Sequence, residues 1–421
     1  MFESRRAHEI FDDCAKEAAR SDSEKSPAAA VQFVLQDELC ETLPVTFASC
    51  RRSETCDRRG ATIRDDMPQS NSSRRGFLRT AGAGIAGGAA LTGGPASRQL
   101  TQQEKLARIA SNTWPIRHIF KTRSNRSSPQ SVAMKKKYGE ITMLDFPRFT
   151  KDTFPGVYHM DLFSGLFGDA TDDSMYVKTA VTFNGQTRMI EEFDPSSASG
   201  RRWLEKLAAV MADTGVKCHH ISNNAPRDIS EPDVDRRKAG IAVAKKWLDA
   251  AALLGAKSMR VNSGGPRIAP GPVATADYPK NDELAKYLGC CIESFKEMAD
   301  YGGKVGVKVT LENHWGLTAN PMNIRIVIEE VNSPWCEASP DFCNWEHEYL
   351  LYHGLADLAP YAHTNVHAKY WNRWKNPDVQ RCVKIMTAAG YMGIFALEYE
   401  EGPWDGVEGA KYLYNEVLAA L

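Results

Sequence analysis

The sequence predicts an α/β fold, a closed (β/α)8 TIM barrel, on the basis of three observations. From about residue 107, short apolar or β-branched runs alternate with amphipathic stretches of helical period, which is typical of parallel βα units. Eight runs of this kind can be assigned, and no long antiparallel hairpin is expected between them. No glycine-rich dinucleotide loop follows any run, which disfavours an open doubly wound sheet. Right-handed repetition of eight units closes into a barrel.

The predicted elements can be placed in chain order. The strands are expected at residues 106–114, 156–163, 216–222, 258–262, 307–312, 340–342, 364–368 and 393–399. Helices are expected at residues 203–213, 235–254, 282–301 and 407–421, and Gly215 and Gly255 end the first two. Two long segments, about 165–200 and 264–281, follow the second and fourth strands. Loops at those positions lie on the catalytic face of a barrel, so we expect them to act as lids.

The N-terminal part of the chain is predicted to lie outside the barrel. Residues 72–79, Ser-Ser-Arg-Arg-Gly-Phe-Leu-Arg, resemble the twin-arginine export signal, and an uncharged Gly/Ala-rich run follows them. We therefore expect 67–97 to be a signal peptide, with Met67 as the natural start and 1–66 as a disordered extension. The barrel is expected to occupy 98–421, and the protein to be periplasmic or otherwise exported.

Composition and charge exclude several classes of protein. The chain has 52 Lys+Arg against 53 Asp+Glu, a formal net charge of −1 at pH 7, and so lacks the basic excess of a nucleic-acid binder. No apolar run approaches the roughly 18 residues that a membrane-spanning helix needs, so no stable membrane insertion is expected. An apolar content of 43% and a charged content of 25% are ordinary for a folded domain.

Four chemically active side chains stand at the ends of late predicted strands. They are Glu312, Asp341, His367 and Glu398. The ends of parallel strands meet at one mouth of a barrel, so these groups can converge despite their separation in the chain. Three carboxylates and one imidazole form a mostly oxygen site, for which Mn²⁺ or Mg²⁺ is favoured and Co²⁺ or Zn²⁺ is acceptable. Taken one at a time, each residue fits a salt bridge or a helix cap equally well.

The runs around these residues resemble a known superfamily. LENHWG (311–316), Asp341, NVHAKYW (365–371) and LEYEEG (397–402) are similar to the motifs of the xylose isomerase-like TIM barrels. Within that superfamily, the chain most resembles sugar phosphate isomerase/epimerase-like proteins that carry a twin-arginine signal. The resemblance implies that the four residues bind one divalent metal ion and that Glu312 and Glu398 are catalytic acid/base partners.

The implied reaction fits this donor set. A proton on carbon next to a carbonyl is a very weak acid, and its removal requires a stabilised enediolate. A divalent ion chelated by the carbonyl and a neighbouring hydroxyl would spread the developing charge, while one carboxylate removes the proton and another returns it. The expected partner is therefore a small sugar or keto-sugar, acted on by an isomerase or epimerase. A homo-oligomer is compatible with the sequence.

Further residues are candidates for substrate contact. His314 and Lys369 each lie two positions after a predicted ligand, and each could instead be a loop histidine or a rim salt bridge. His220 and Asn262 lie near the ends of the third and fourth strands. Trp114 ends the first strand and could supply an apolar wall for a sugar face, although core packing of the indole would explain it nearly as well.

Two other functions remain as alternatives, and a third is not expected. A 3-keto-glycoside lyase would use the same metal and glutamates, because removal of the acidic C2 proton can expel the C1 substituent by β-elimination. A non-catalytic sugar-binding protein would be favoured only if one of the four ligands were missing. Barrels of the endonuclease IV type carry a histidine three residues after the strand-6 aspartate, where this chain has Asn344, so DNA cleavage is not expected.

Overall fold

Ten strands occur in the described part of the chain. The computed structural model describes residues 99–123, 128–183, 186–265, 281–314 and 316–421, which all fall within one unit, Thr92–Leu421. In chain order the strands are β1 (Ile109–Asn112), β2 (His159–Phe163), β3 (Tyr176–Phe183), β4 (Gln186–Phe193), β5 (Lys217–Ser222), β6 (Ser258–Arg260), β7 (Lys308–Leu311), β8 (Cys336–Ala338), β9 (Asn365–Trp371) and β10 (Ile394–Glu401).

Eight of these strands form a parallel sheet that closes on itself. Its order is β8-β7-β6-β5-β2-β1-β10-β9, so neighbours in the sheet follow one another along the chain, with β10 returning to β1. A parallel bridge between Asp341, just after β8, and His367 in β9 joins the two outer strands. It consists of hydrogen bonds from Phe342 N to His367 O and from His367 N to Pro340 O, both 3.1 Å. The predicted (β/α)8 barrel is confirmed.

Helices occupy the crossovers between the strands. In the described residues they are α1 (Gln102–Leu106), α2 (Pro129–Tyr138), α3 (Phe146–Thr153), α4 (Ala198–Thr214), α5 (Val234–Leu253), α6 (Asn281–Val305), α7 (Pro321–Val331), α8 (Leu350–Leu358), α9 (Val379–Ala388) and α10 (Gly406–Ala420). Side chains of Ser197, Asp233 and Asp378 cap the N-termini of α4, α5 and α9. As predicted, Gly215 ends α4, with a left-handed backbone at φ 73°.

The core lies between the sheet and this outer layer of helices. Helix α4, for example, buries Trp203, Leu204, Leu207 and Met211, which share one face at helical spacing. Close packing of helix against strand also explains one glycine. A Cβ at Gly409 in α10 would lie 2.2 Å from the Tyr399 ring in β10, so only a hydrogen atom fits there.

An antiparallel hairpin interrupts the βα alternation, and the expectation that no such hairpin exists is wrong. Strands β3 and β4 pair in register from Tyr176 opposite Phe193 to Phe183 opposite Gln186. The Asn-Gly dipeptide at 184–185, outside the described residues, is the commonest signal for a tight hairpin turn. Part of the segment 165–200, expected to be a lid loop, is therefore regular sheet.

The predicted bounds of two strands also need correction. The sixth barrel strand is Cys336–Ala338, not 340–342, because Pro340 has no N–H to donate to a ladder and the regular pairing with β7 ends before it. The first strand is only Ile109–Asn112, because Thr101 caps a short helix over part of the segment predicted as strand. Trp114 consequently follows β1 by two residues.

Several predictions concern residues outside the described part of the chain. They are the extension 1–66, the signal peptide 67–97 and most of the second lid segment, 264–281. Among the described residues no helix combines the length and apolarity needed to cross a membrane. The six described cysteines are free thiols.

One histidine of the barrel wall is held neutral by its surroundings. His219 in β5 makes a hydrogen bond through Nε2 to the Thr364 carbonyl (3.2 Å), and its ring packs edge-on against His159 at 5.3 Å. Burial, His159 and Lys257 lower the pKa of His219 to about 4, against the opposite effects of Thr364 and Asp161. The imidazole is therefore uncharged at neutral pH.

Candidate metal centre

The imidazole of His367 stands at the centre of a cluster of carboxylates at the C-terminal ends of the barrel strands. Its Nδ1 atom lies 3.2 Å from Glu312 Oε2, 3.5 Å from Glu398 Oε2 and 3.9 Å from Asp341 Oδ2. Glu312 follows β7 directly, Asp341 follows β8 by three residues, and His367 and Glu398 belong to β9 and β10. Four adjacent strands thus bring the four predicted ligands together.

The cluster fits a divalent cation in its donor chemistry and in its unsatisfied atoms. All four residues are buried, with exposures of 0–6%. His367 Nδ1 and Asp341 Oδ2 are buried without a hydrogen-bond partner, which is costly in a protein interior. Glu312, Asp341 and His367 each offer a ligand atom within 4.8 Å of the other two. Three oxygen donors and one nitrogen donor suit Mn²⁺ or Mg²⁺, and Zn²⁺ or Co²⁺ less selectively.

The protonation of the cluster indicates the same need for a cation. Burial alone would lower the pKa of His367, but Glu312 and Glu398 raise it well above the ordinary value. Burial and the charges of Glu398 and Glu312 raise the pKa of Asp341 to about 7. His367 and Asp341 therefore favour their protonated forms, and a bound divalent ion would displace those protons.

Glu312 is held rigidly by two neighbouring side chains. Arg260 at the end of β6 donates through NH1 to Oε2 (2.7 Å), and Asn344 donates through Nδ2 to Oε1 (2.9 Å). Burial would raise the pKa of Glu312, but Arg260 and His367 hold it well below the ordinary value. Asn344 itself is placed by a hydrogen bond from its backbone N to Asp341 Oδ1 (2.9 Å).

Lys369 is a buried cation among three acidic groups. Its Nζ lies 2.9 Å from Glu398 Oε1, 3.1 Å from Glu400 Oε2 and 3.5 Å from Asp341 Oδ2. It also donates to Asn344 Oδ1 (3.0 Å). Burial opposes its charge, but the three carboxylates raise the pKa of Lys369 well above the ordinary value.

The ion pairs of the centre form one network with an excess of negative charge. Among the described residues, the network joins five carboxylates to three permanent cations through His367. The carboxylates are Asp161, Glu312, Asp341, Glu398 and Glu400, and the cations are Arg117, Arg260 and Lys369. With the imidazole neutral, the excess is two negative charges. One divalent ion would balance it.

Asp161 in β2 lies on the side of His367 opposite to the other carboxylates. Its Oδ2 is 2.8 Å from His367 Nε2, and Ser222 donates to its Oδ1 at 2.7 Å. Although burial would raise the pKa of Asp161, His220, His367 and Ser222 lower it below the ordinary value. The carboxylate is therefore ionised although its side chain is completely buried.

Two of the predicted substrate residues have polar partners around the mouth. Trp114 donates through Nε1 to Glu400 Oε2 (2.6 Å) and packs edge-on against Phe163, with ring centroids 4.9 Å apart. The Arg117 guanidinium covers its ring at 4.1 Å. Asn262 donates to Asn224 Oδ1 (3.3 Å), and its own Oδ1 has no partner.

Two more of the five predicted substrate residues, His314 and His220, are neutral imidazoles. Burial and the cations Arg260 and Lys369 lower the pKa of His314 to about 3, against the opposite effect of Glu312. His220 is completely buried with its Nδ1 2.8 Å from Ser258 Oγ, and its ring centroid is 5.9 Å from that of His367. His220 therefore lies beside the Asp161–His367 pair rather than at the mouth.

Sequence reasoning missed Asp161, Arg260 and Glu400. The first two are charged residues in the largely buried strands HMDLF and SMR, and a buried charge in a strand is a signal in itself. Glu400 follows Glu398 by two residues and so points to the same face of β10. Ser222 and Asn344 carried no signal that would separate them from ordinary polar residues.

Comparisons with known proteins agree with this architecture. A family model described as xylose isomerase-like TIM barrel matches residues 179–416, more than half of the chain. D-allulose 3-epimerase from Methylomonas sp. is 12% identical, with 75% of this chain and 98% of that chain covered and a TM-score of 0.50. No curated protein matches the chain.

Two further solved structures are similar to the chain. The apo form of 3-keto-D-glucoside 4-epimerase from E. coli is 14% identical, with 73% of this chain and 99% of that chain covered and a TM-score of 0.48. A xylose isomerase-like TIM barrel protein from Mycobacterium smegmatis, in complex with magnesium, is 18% identical, with coverages of 75% and 98% and a TM-score of 0.45.

Proposed function

Because the chain belongs to the xylose isomerase-like TIM barrel family, we propose that it is a divalent-metal-dependent sugar isomerase or epimerase. The reaction would remove a proton from a carbon next to a carbonyl group and return it at the same or the neighbouring carbon. One observation carries the proposal: the unpartnered Nδ1 atom of His367 lies within 4 Å of three carboxylates at the mouth of the barrel.

Glu312, Asp341, His367 and Glu398 would hold the metal ion. A divalent ion bound there acts as a Lewis acid that stabilises negative charge on a substrate oxygen. The chain itself supplies the orientation of these side chains. Asp341 accepts hydrogen bonds from the backbone N–H groups of Cys343 and Asn344 at Oδ1, which leaves Oδ2 directed at the cluster.

The two glutamates differ in their fitness as a base. Both oxygens of Glu312 are engaged, and Arg260 holds its pKa low, so this carboxylate is a weak proton acceptor until its partners move. Glu398 is bound to the Lys369 ammonium through Oε1 (2.9 Å) and only at 3.5 Å to the Asn112 amide through Oε2, and its side chain is slightly more exposed than that of Glu312, 8% against 1%. We assign Glu398 as the first proton acceptor and Glu312 as its acid/base partner.

Lys369 and Trp114 would contact the substrate. The three N–H groups of Lys369 already face Glu398, Asn344 and Glu400, so a hydrogen bond to a sugar oxygen would replace the contact with Asn344 or Glu400 while the bond to Glu398 is kept. The half-buried Trp114 indole is fixed by its hydrogen bond to Glu400 and by the Arg117 guanidinium over its ring, and the exposed part of the ring system would serve as a rigid apolar wall for a sugar ring. These contacts would orient the reacting carbon between the two glutamates.

The test is proton exchange into ketoses from D₂O with the Mn²⁺-loaded protein and its Glu398→Gln variant. Gln keeps an oxygen ligand but cannot accept a proton, so we expect exchange to fall by about 10²- to 10⁴-fold while metal binding only weakens. Glu337→Gln is the matched control, because Glu337 is a buried strand carboxylate bound to Lys308, outside the network around His367. Near-native exchange in Glu398→Gln would remove this residue from the mechanism.

The same assay separates the alternatives. Release of an aglycone from 3-keto-glycosides, together with exchange, would establish the lyase reaction on this site. If the wild-type protein binds sugars but binds no Mn²⁺ and catalyses no deuterium exchange from solvent, it is a binding protein and the proposal is wrong.

A further inference from the structure

Asp161 is a buried carboxylate that the proposed reaction does not use. It lies in β2 with 0% exposure. Its hydrogen-bond partners are the imidazole of His367 (2.8 Å) and two neutral side chains, Ser222 (2.7 Å) and Asn365 (3.3 Å). A buried carboxylate with no lysine or arginine hydrogen-bonded to it is costly, and such a group is uncommon unless it has a function.

The hydrogen bond to Asp161 determines which nitrogen of His367 carries a proton. An ionised carboxylate only accepts hydrogen bonds, so the Nε2 atom facing Asp161 must be the N–H donor. Ser222 lies 3.1 Å from the same nitrogen, but its hydroxyl proton is already directed to Asp161 Oδ1. In a neutral imidazole the lone pair then belongs to Nδ1, the atom that faces Glu312, Glu398 and Asp341.

We propose that Asp161 is a positioning residue that keeps the proton of His367 on Nε2, orients the ring and thereby directs the Nδ1 lone pair at a metal ion. The inference rests on the proposed metal site and adds to it a residue on a distant strand. Ser222 and Asn365 hold the carboxylate in turn. Partners of this kind raise the basicity of a ligating histidine, and their loss costs about 10- to 100-fold in metal affinity.

A second cation between Asp161, His220 and His367 is the competing interpretation, since these three residues also offer ligand atoms within 4.8 Å of one another. Both oxygens of Asp161 and the Nε2 atom of His367 are, however, already joined in hydrogen bonds of 2.7 and 2.8 Å. A cation there would have to break them. In the positioning role, all of these hydrogen bonds remain intact.

The experiment is a calorimetric titration of metal-free protein with Mn²⁺, for wild type, Asp161→Asn and Glu337→Gln. Both variants replace one buried strand carboxylate by an amide, and thermal unfolding records their stability. We expect one Mn²⁺ per wild-type chain, about 10- to 100-fold weaker binding by Asp161→Asn at the same stoichiometry, and an affinity within about threefold of wild type for Glu337→Gln. A merely structural role would lower the unfolding temperature of both variants and leave both affinities unchanged.

A second variant keeps the inference testable if Asp161→Asn does not fold. Ser222→Ala retains the carboxylate and its charge but removes one hydrogen bond that orients it, so its Mn²⁺ affinity should fall between those of wild type and a 10-fold loss. The positioning role is overturned if the variant that folds binds Mn²⁺ as wild type does, or if wild type binds two equivalents and Asp161→Asn loses one. If wild type binds no Mn²⁺, the proposed function itself fails.

Discussion

Replacing Lys369 by Met tests whether the charges of the centre are balanced as the distances indicate. Met preserves most of the volume of the side chain but removes the ammonium group, which lies within 3.5 Å of Glu398, Glu400 and Asp341. Lys369 is 3% exposed, so water cannot replace the lost charge without a rearrangement of the site. The metal-free variant would therefore contain three crowded carboxylates and no ammonium group between them.

The expected cost follows from the burial of these groups. Removal of one partner from a buried ion pair destabilises a protein by about 3–5 kcal/mol, because the remaining charge stays desolvated. A loss of this size corresponds to a fall in the unfolding temperature of about 6–10 °C, at about 2 °C per kcal/mol for a large domain. Mn²⁺ should raise the unfolding temperature of Lys369→Met by more than it raises that of wild type, because the variant lacks the ammonium charge that repels a cation.

Calorimetric unfolding in EDTA and in excess Mn²⁺ measures both effects. Lys308→Met is the control, since it also leaves a buried carboxylate, Glu337, without its lysine, but Lys308 is 28% exposed at its side chain, so water can replace its ammonium group. A smaller loss than for Lys369→Met and no metal dependence are expected. The charge argument is refuted if Lys369→Met unfolds within 2 °C of wild type in EDTA, or if Mn²⁺ stabilises the variant less than it stabilises wild type.

Two further predictions concern the barrel wall. The pKa of His219 in the folded chain, about 4, lies below its ordinary value of 6.5, so its contribution to stability is complete above pH 6.5 and declines as the pH falls towards 4, by no more than about 3 kcal/mol. Between pH 7 and 4.5, the free energy of unfolding measured in urea should fall less for His219→Gln than for wild type. Equal falls in the two proteins would contradict the argument. Gly409→Ala should lower the free energy of unfolding by about 1–3 kcal/mol, because its Cβ meets the Tyr399 ring, whereas Gly289→Ala, with open space beside its Cβ in α6, should raise it by about 0.5–1 kcal/mol. Urea unfolding of both glycine variants tests this, and a stabilised Gly409→Ala would show that α10 is not packed against β10 as described.

The repeating βα pattern was sufficient to predict the barrel and the convergence of four side chains. Parallel strands place their C-terminal ends at one edge, so an acidic or imidazole residue at each of four late strand ends implies proximity without any knowledge of side-chain contacts. A residue need not lie within a strand to reach the cluster. Asp341 lies three residues beyond β8, and its Oδ2 is still 3.9 Å from His367 Nδ1.

Local sequence was a weaker guide where pairing decides the structure. The sequence predicts a lid loop where the hairpin β3–β4 lies, although the Asn-Gly turn signal is present, because an isolated pair of strands does not fit the βα repeat. The partners of Glu312 could not be predicted, since Arg260 lies on β6 and Asn344 beyond β8. Their contact depends on the register of three strands, which no single segment encodes.

The same reasoning explains why Asp161 is informative only once the structure is known. In the sequence it is one carboxylate in the apolar run HMDLF, and either a salt bridge or a ligand would account for it. The barrel places β2 across from β9, where Asp161 meets the far side of His367 rather than a lysine or an arginine. One carboxylate lies on the Nε2 side of the imidazole and three lie on the Nδ1 side. Nε2 is therefore the hydrogen-bond donor, and Nδ1 presents the lone pair. The affinity of the proposed metal site should therefore depend on a residue that is not one of its proposed ligands.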